Sequence, residues 1–168
     1  MNKNSSVHTR QPRAGEGIIS AVSVGAVFIL IGLIYVATLP TSLWDKIIAF
    51  FDSFSTFNVA GTTIYLPAPA VPAVHTVLYS AAFQFCLGIG ILQIVVLTLR
   101  LILHSPINKT AETVGNLVFW FGTSYLVITF LNSSTTVTTW FAFWAAMLVA
   151  LGVSLIARAS VLFAKRQA

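Results

Sequence analysis

The chain has 168 residues, of which 57% are hydrophobic and only 8% charged, with a formal net charge of +5. Soluble domains carry about 25% charged residues, so this composition leaves no solvated face and excludes a soluble globular protein. The surplus basic residues form no patch interleaved with aromatics, which argues against nucleic acid and for topology signals and contacts to anionic headgroups.

Residues 1–16 form a polar tail with Lys3, Arg10, Arg13 and Glu16, in which Pro12 and Gly15 discourage a helix. Four apolar runs follow, at 17–39, 73–103, 113–132 and 137–163. Each is long enough to cross about 30 Å of hydrocarbon at about 1.5 Å per helical residue. The first run is longer than the roughly 7–15 residues of a signal-peptide core, and Val36-Ala37-Thr38 is a poor cleavage site, so it reads as an uncleaved anchor stopping at Pro40.

Residues 41–58 change character. Leu43, Trp44, Ile47, Ile48, Phe51 and Phe54 recur at spacings of three and four, with Asp45, Lys46, Asp52 and Ser53 opposite. This predicts an amphipathic helix over 41–58, capped by Thr41 or Ser42 and too short to span. Its face of Trp44, Ile47, Ile48, Phe51 and Phe54 suits either the outer bilayer interface or docking onto the ends of the other helices. Pro67, Pro69 and Pro72 then make 59–72 an extended connector.

The second run covers about 46 Å as a helix and must tilt or project. It carries a stripe of His75, Tyr79, Ala82, Cys86, Gly90, Gln93, Leu97 and Arg100, with Gln84 on the opposite face. Such a seam either lines a polar path or serves interhelical hydrogen bonding and close packing. Cys86 is the sole cysteine, so no internal disulfide forms and no thiolate metal site has companions.

A short loop at 104–112 leads to the third run, with Thr110 or Thr113 as its cap and Glu112 near its positive end. On that run Asn116 and Thr123 share a face and could meet Gln93. Gly115 and Gly122 are seven apart. A polar link at 132–136 makes a tight helical hairpin into the fourth run, where Ala142, Ala146, Ala150 and Ser154 step by four. Small residues at such spacings let backbones approach.

Lysine and arginine concentrate in the tail, the 104–112 loop with Arg100, and the C-terminal end, whereas 40–72 holds only Lys46. The positive-inside rule therefore places both termini in the cytoplasm and the 40–72 loop outside a plasma membrane. No charged side chain falls in the centre of any run, which argues against proton-coupled carriers, voltage sensors and intramembrane proteases. No phosphate loop, nucleophile elbow or metal-ligand spacing occurs, and no cofactor is expected.

The expectation is an all-α, polytopic membrane protein. It has one domain over 1–168, with four transmembrane helices and an extracytoplasmic amphipathic helix between the first and second. Its expected role is a non-catalytic accessory, scaffold or assembly subunit, whose partners are the lipid bilayer and other membrane subunits or further copies of itself. The alternative is a homo-oligomeric channel or passive carrier lined by Cys86 and Gln93. A third reading, an enzyme acting on lipid or quinone at an interface, would need His75 or Glu112 as its reactive group, and neither has a visible partner in the sequence.

Overall fold

A computed structural model describes residues 14–39 and 41–167, with side chains from 17 to 164 outside that one gap. Lys3, Arg10, Arg13, Pro40 and the side chains of Glu16, Lys165 and Arg166, which figured in the expected tail, stop and charge pattern, lie outside the described residues.

Four helices are long and apolar enough to cross a membrane. They are α1 (Ala14–Ala37), α3 (Thr76–Ile102), α4 (Ile107–Phe130) and α5 (Val137–Gln167). Between α1 and α3 lie the short helix α2 (Leu43–Asp52), strands β1 (Phe54–Asn58) and β2 (Tyr65–Pro69), and a single 3-10 turn at Pro72–His75. The main helix contacts run in series, α1 on α3, α3 on α4, and α4 on α5.

Small residues set each of these contacts. Leu30 of α1 seats over Gly88, whose missing Cβ would stand 2.6 Å from a Leu30 methyl. The Phe121 ring of α4 covers Gly90 of α3. Gly115 lies under the Ser154 carbonyl and Arg158 Cβ of α5, and Gly122 faces Ala150. Of the small residues that the sequence offered, Gly115, Gly122, Ala150 and Ser154 serve contacts inside the chain, whereas Ala142 is exposed. On α1, where Ala21, Gly25 and Gly32 mark another line of small residues in the sequence, Gly25 and Gly32 face open space.

The mostly helical architecture is consistent with an all-α membrane protein, but two local expectations are corrected at the loop end. The helix expected over 41–58 stops at Asp52, and the connector expected over 59–72 takes part in a small antiparallel hairpin, with Phe54 opposite Pro69 and Asn58 opposite Tyr65. Ser42 caps α2 by accepting the Asp45 amide at 3.3 Å. The prolines that argued for an irregular connector are compatible with the sheet because of their spacing. Ala70 N donates to Ser53 O and Val59 N to Ile64 O, so the hydrogen-bonded pairs fall on odd residues of β1. Pro67 and Pro69 oppose Thr56 and Phe54, at the alternate pairs whose amides point away from the partner strand. The turn between the strands places Gly61 at φ +79°, a left-handed setting that glycine adopts without strain.

α4 begins at Ile107 rather than near 113. α3 ends in a Schellman arrangement, Ser105 N donating to Arg100 O and His104 N to Leu101 O. His104 takes the left-handed position at φ 51°, and Pro106 stops the chain from continuing straight. The Arg100 guanidinium bridges the two helices, donating to Lys109 O and to Thr113 Oγ1. At the other end of α4, Asn132 Oδ1 accepts Ser134 N at 2.8 Å, and Thr136 and Thr139 cap α5 reciprocally. Arg100, Lys109, Glu112 and Arg158 thus fall at one end of the helix row, with α2 and the hairpin at the opposite end.

Candidate functional site

The apolar face of α2 divides. Leu43, Ile47, Phe50 and Phe54 follow each other at steps of four, three and four, and turn toward the helix row. Phe50 is buried, and Leu43, Ile47 and Phe54 are half-buried. Trp44, Ile48 and Phe51, the other part of the expected docking face, remain exposed. The helix therefore both docks and presents an aromatic edge. Phe50 was not among the residues singled out from sequence, although its line of four apolar positions is the signal that identifies it.

Phe50 heads an aromatic cluster. Its ring meets Phe54, His75 and Trp140 at centroid distances of 5.1, 5.1 and 5.8 Å. Trp140 in turn contacts Tyr79, Phe143 and Trp144. Edge-to-face and tilted pairs of this kind are favoured by the ring quadrupole. Tyr79 donates its hydroxyl to Pro72 O at 2.9 Å in a buried bond, which fixes the 3-10 turn against α3. Tyr79→Phe leaves that carbonyl without its partner, so it is expected to cost about 1 kcal/mol. The check is the thermal unfolding midpoint in detergent micelles; an unchanged midpoint would remove this bond from the account.

Beneath the cluster lies a cavity of about 600 Å³. α3 contributes Leu78, Tyr79, Ala82 and Cys86, α4 contributes Thr123, Val127 and Leu131, and α5 contributes Trp140, Phe143 and Trp144. Phe50 and Phe51 of α2, Phe54 of β1 and Pro67 of β2 complete it. No charged side chain takes part in the lining. The volume is within the usual range for small-molecule sites, about 300–1,000 Å³. Phe51 (66% exposed) and Trp144 (52% exposed) stand at its margin, so the cavity opens on the apolar flank of the helix row.

The residues of the expected polar seam have separate fates. Cys86 is buried at the cavity wall, Gly90 is covered by Phe121, and Gln93 is half-buried with no hydrogen bond to Asn116 or Thr123. Thr123 is buried, whereas Asn116 is exposed near the middle of α4. Gln84 is exposed in a shallow polar cleft between the ends of α1 and α3, beside Thr38, Thr41, Thr76 and Ser80. His75, one of the two groups required by the enzyme reading, pairs through Nε2 with Ser53 Oγ at 3.1 Å. The other, Glu112, is in an ion pair with Lys109 at 3.3 Å. Among the described residues no three His, Cys, Asp or Glu side chains come together as a metal site. No protein family, characterised protein or solved structure matches this chain.

Proposed function

We propose that this is a non-catalytic integral membrane subunit that assembles, through its exposed helix faces, with other membrane proteins or with further copies of itself. The observation that carries this reading is Asn116. It is exposed on α4 one turn beyond Glu112 and next to Gly115, which Arg158 covers, so in this reading it stands just inside the hydrocarbon from the charged end. A side-chain amide finds no hydrogen-bonding partner in lipid tails and so favours a second helix beside it. The open Gly25 and Gly32 positions of α1 offer a further surface on which another backbone can approach. The channel alternative has less support, because Phe121 packs over the seam at Gly90 where a path would have to run.

In this reading both termini face the cytoplasm, with Arg100, Lys109 and Arg158 at the cytoplasmic end. α2 lies at the outer surface, with Trp44 and Phe51 at the interface. Asn116→Leu is expected to weaken association by about 3-fold to 20-fold, the range spanned by measured intramembrane hydrogen bonds, while the chain itself stays folded. Native mass measurement of the mildly extracted particle checks this. A stoichiometric complex that shifts to free chain on substitution supports the proposal. A chain that is monomeric both before and after substitution overturns it.

A further inference from the structure

Two hydrogen-bonding groups at the wall of the aromatic cavity have no partner. Trp140 Nε1 and Thr123 Oγ1 are sealed from solvent and bonded to nothing, and each residue is only 5% exposed. An indole N–H can only donate. Ser23, Thr98, Thr113 and Thr129 each donate to the carbonyl four residues earlier, at 2.7 to 3.0 Å. Thr123 makes no such bond. Buried donors are ordinarily satisfied, and both of these belong to one cavity.

We propose that this cavity binds an uncharged, membrane-soluble ring bearing carbonyl oxygens, of the quinone class, with one oxygen accepting from Trp140 Nε1 and the other from the Thr123 hydroxyl. The aromatic walls suit a flat ring. The uncharged lining excludes an ionic headgroup, and a plain acyl chain would fill the space but leave both donors unsatisfied. The link at 131–136 holds the adjoining ends of α4 and α5 together. Counted from those ends, Thr123 and Trp140 differ in depth by about 6 Å, so the two donors stand at different levels of the cavity wall. Both donor atoms are covered in this structure. Binding therefore requires the Thr123 hydroxyl to turn about χ1, for which a helical threonine has two accessible settings, and the Trp140 ring to tilt. The ligand arrives from the hydrocarbon past Phe51 and Trp144. This inference does not depend on the assembly reading, since the cavity is complete within one chain.

The test uses the full chain in phosphatidylcholine nanodiscs titrated with a decyl-substituted benzoquinone, the bound quinone being measured by its ultraviolet absorbance. Saturable binding at one quinone per chain is expected, above the linear partition into empty discs. Trp140→Phe and Thr123→Val should each weaken it by about ten-fold, and Thr123→Ser should retain it. Linear uptake equal to that of empty discs overturns the proposal and needs no variant to fold. Unchanged affinity in both donor variants also overturns it. So does equal competition by diacylglycerol, which would make the cavity a general lipid crevice. Oligomers that dissociate when Ala82→Phe fills the cavity, with no quinone bound, would assign the space to a second copy and overturn it as well.

Discussion

Trp140→Ala is expected to lower unfolding stability by about 3 kcal/mol, the lower part of the range for removing a buried tryptophan. The lower part applies because hydrocarbon is as apolar as the protein interior, so leaving the membrane core gains no hydrophobic transfer energy. What is lost is dispersion contact, individually small and collectively large. Trp140 touches rings of α2, β1, α3 and α5, with centroids within 6.5 Å of Phe50, Phe54, Tyr79, Phe143 and Trp144. Its removal enlarges a cavity that already exists, and the shell has little left with which to close it. The loss should therefore be local as well as global. Besides a lower thermal midpoint in micelles, protease cleavage within the turn at 59–64 should speed up as α2 and the hairpin loosen. Wild-type cleavage rates would show that Trp140 does not hold α2 and the hairpin down.

Gly115→Leu carries the second large effect. A Cβ at Gly115 would lie 3.1 Å from the Ser154 carbonyl and 3.2 Å from Arg158 Cβ. A backbone oxygen cannot turn aside, so a larger side chain must push α4 and α5 apart along their length. Overpacking of this kind costs about 1–3 kcal/mol, and the upper end is expected here because the neighbouring Gly122–Ala150 approach opens with it. Gly88→Ala is the control, since only the flexible tip of Leu30 stands in its way. Thermal midpoints in detergent should separate the two by at least several degrees, and equal midpoints would show that the α4–α5 approach is not set by Gly115.

The four apolar helices were legible in the sequence because hydropathy over about 20 residues answers one physical question, whether a segment can exchange water for lipid. It does not report where a helix ends. Asn108, Lys109, Thr110 and Glu112 read as loop on polarity alone, yet they form the first turns of α4, which runs beyond its apolar zone. The end of α3 was placed more closely because a conformational cue, Ser105-Pro106, coincides with the polar one. At the hairpin, composition misled. Prolines at 67 and 69 argue against a strand in general, and only the parity of their spacing makes them compatible with one. That parity is invisible until the register with β1 is known.

The candidate site was legible in part. Tyr79 and Cys86 were in the stripe on α3, and Gly90, Gln93 and Arg100 followed the same line, but a periodic stripe cannot say whether its neighbour is a pore or a phenylalanine. Phe121 decided that at Gly90. Phe50 escaped because α2 is apolar around more than one line of positions, and the exposed line through Trp44, Ile48 and Phe51 is as regular as the buried one. Asn116 and Thr123 shared a face in projection. Seven residues drift by only about 20°, yet one is exposed and the other lies at the cavity wall, because a shared face does not report what covers it at each level.

The thin attachment of α1 bears on how the chain is made. Only Ile19 and Ile34 are buried along its described length, and its main contact is with α3. During synthesis α1 is complete about forty residues before α3 begins, an interval of several seconds at roughly 5–20 residues per second. A helix whose stability came from the surface of α3 would wait through that interval half-formed. One that is apolar on every side needs only lipid, and can stand in the bilayer as a finished rod until Gly88 arrives to receive Leu30. The weakness of the contact in the finished fold is thus the counterpart of independence during assembly.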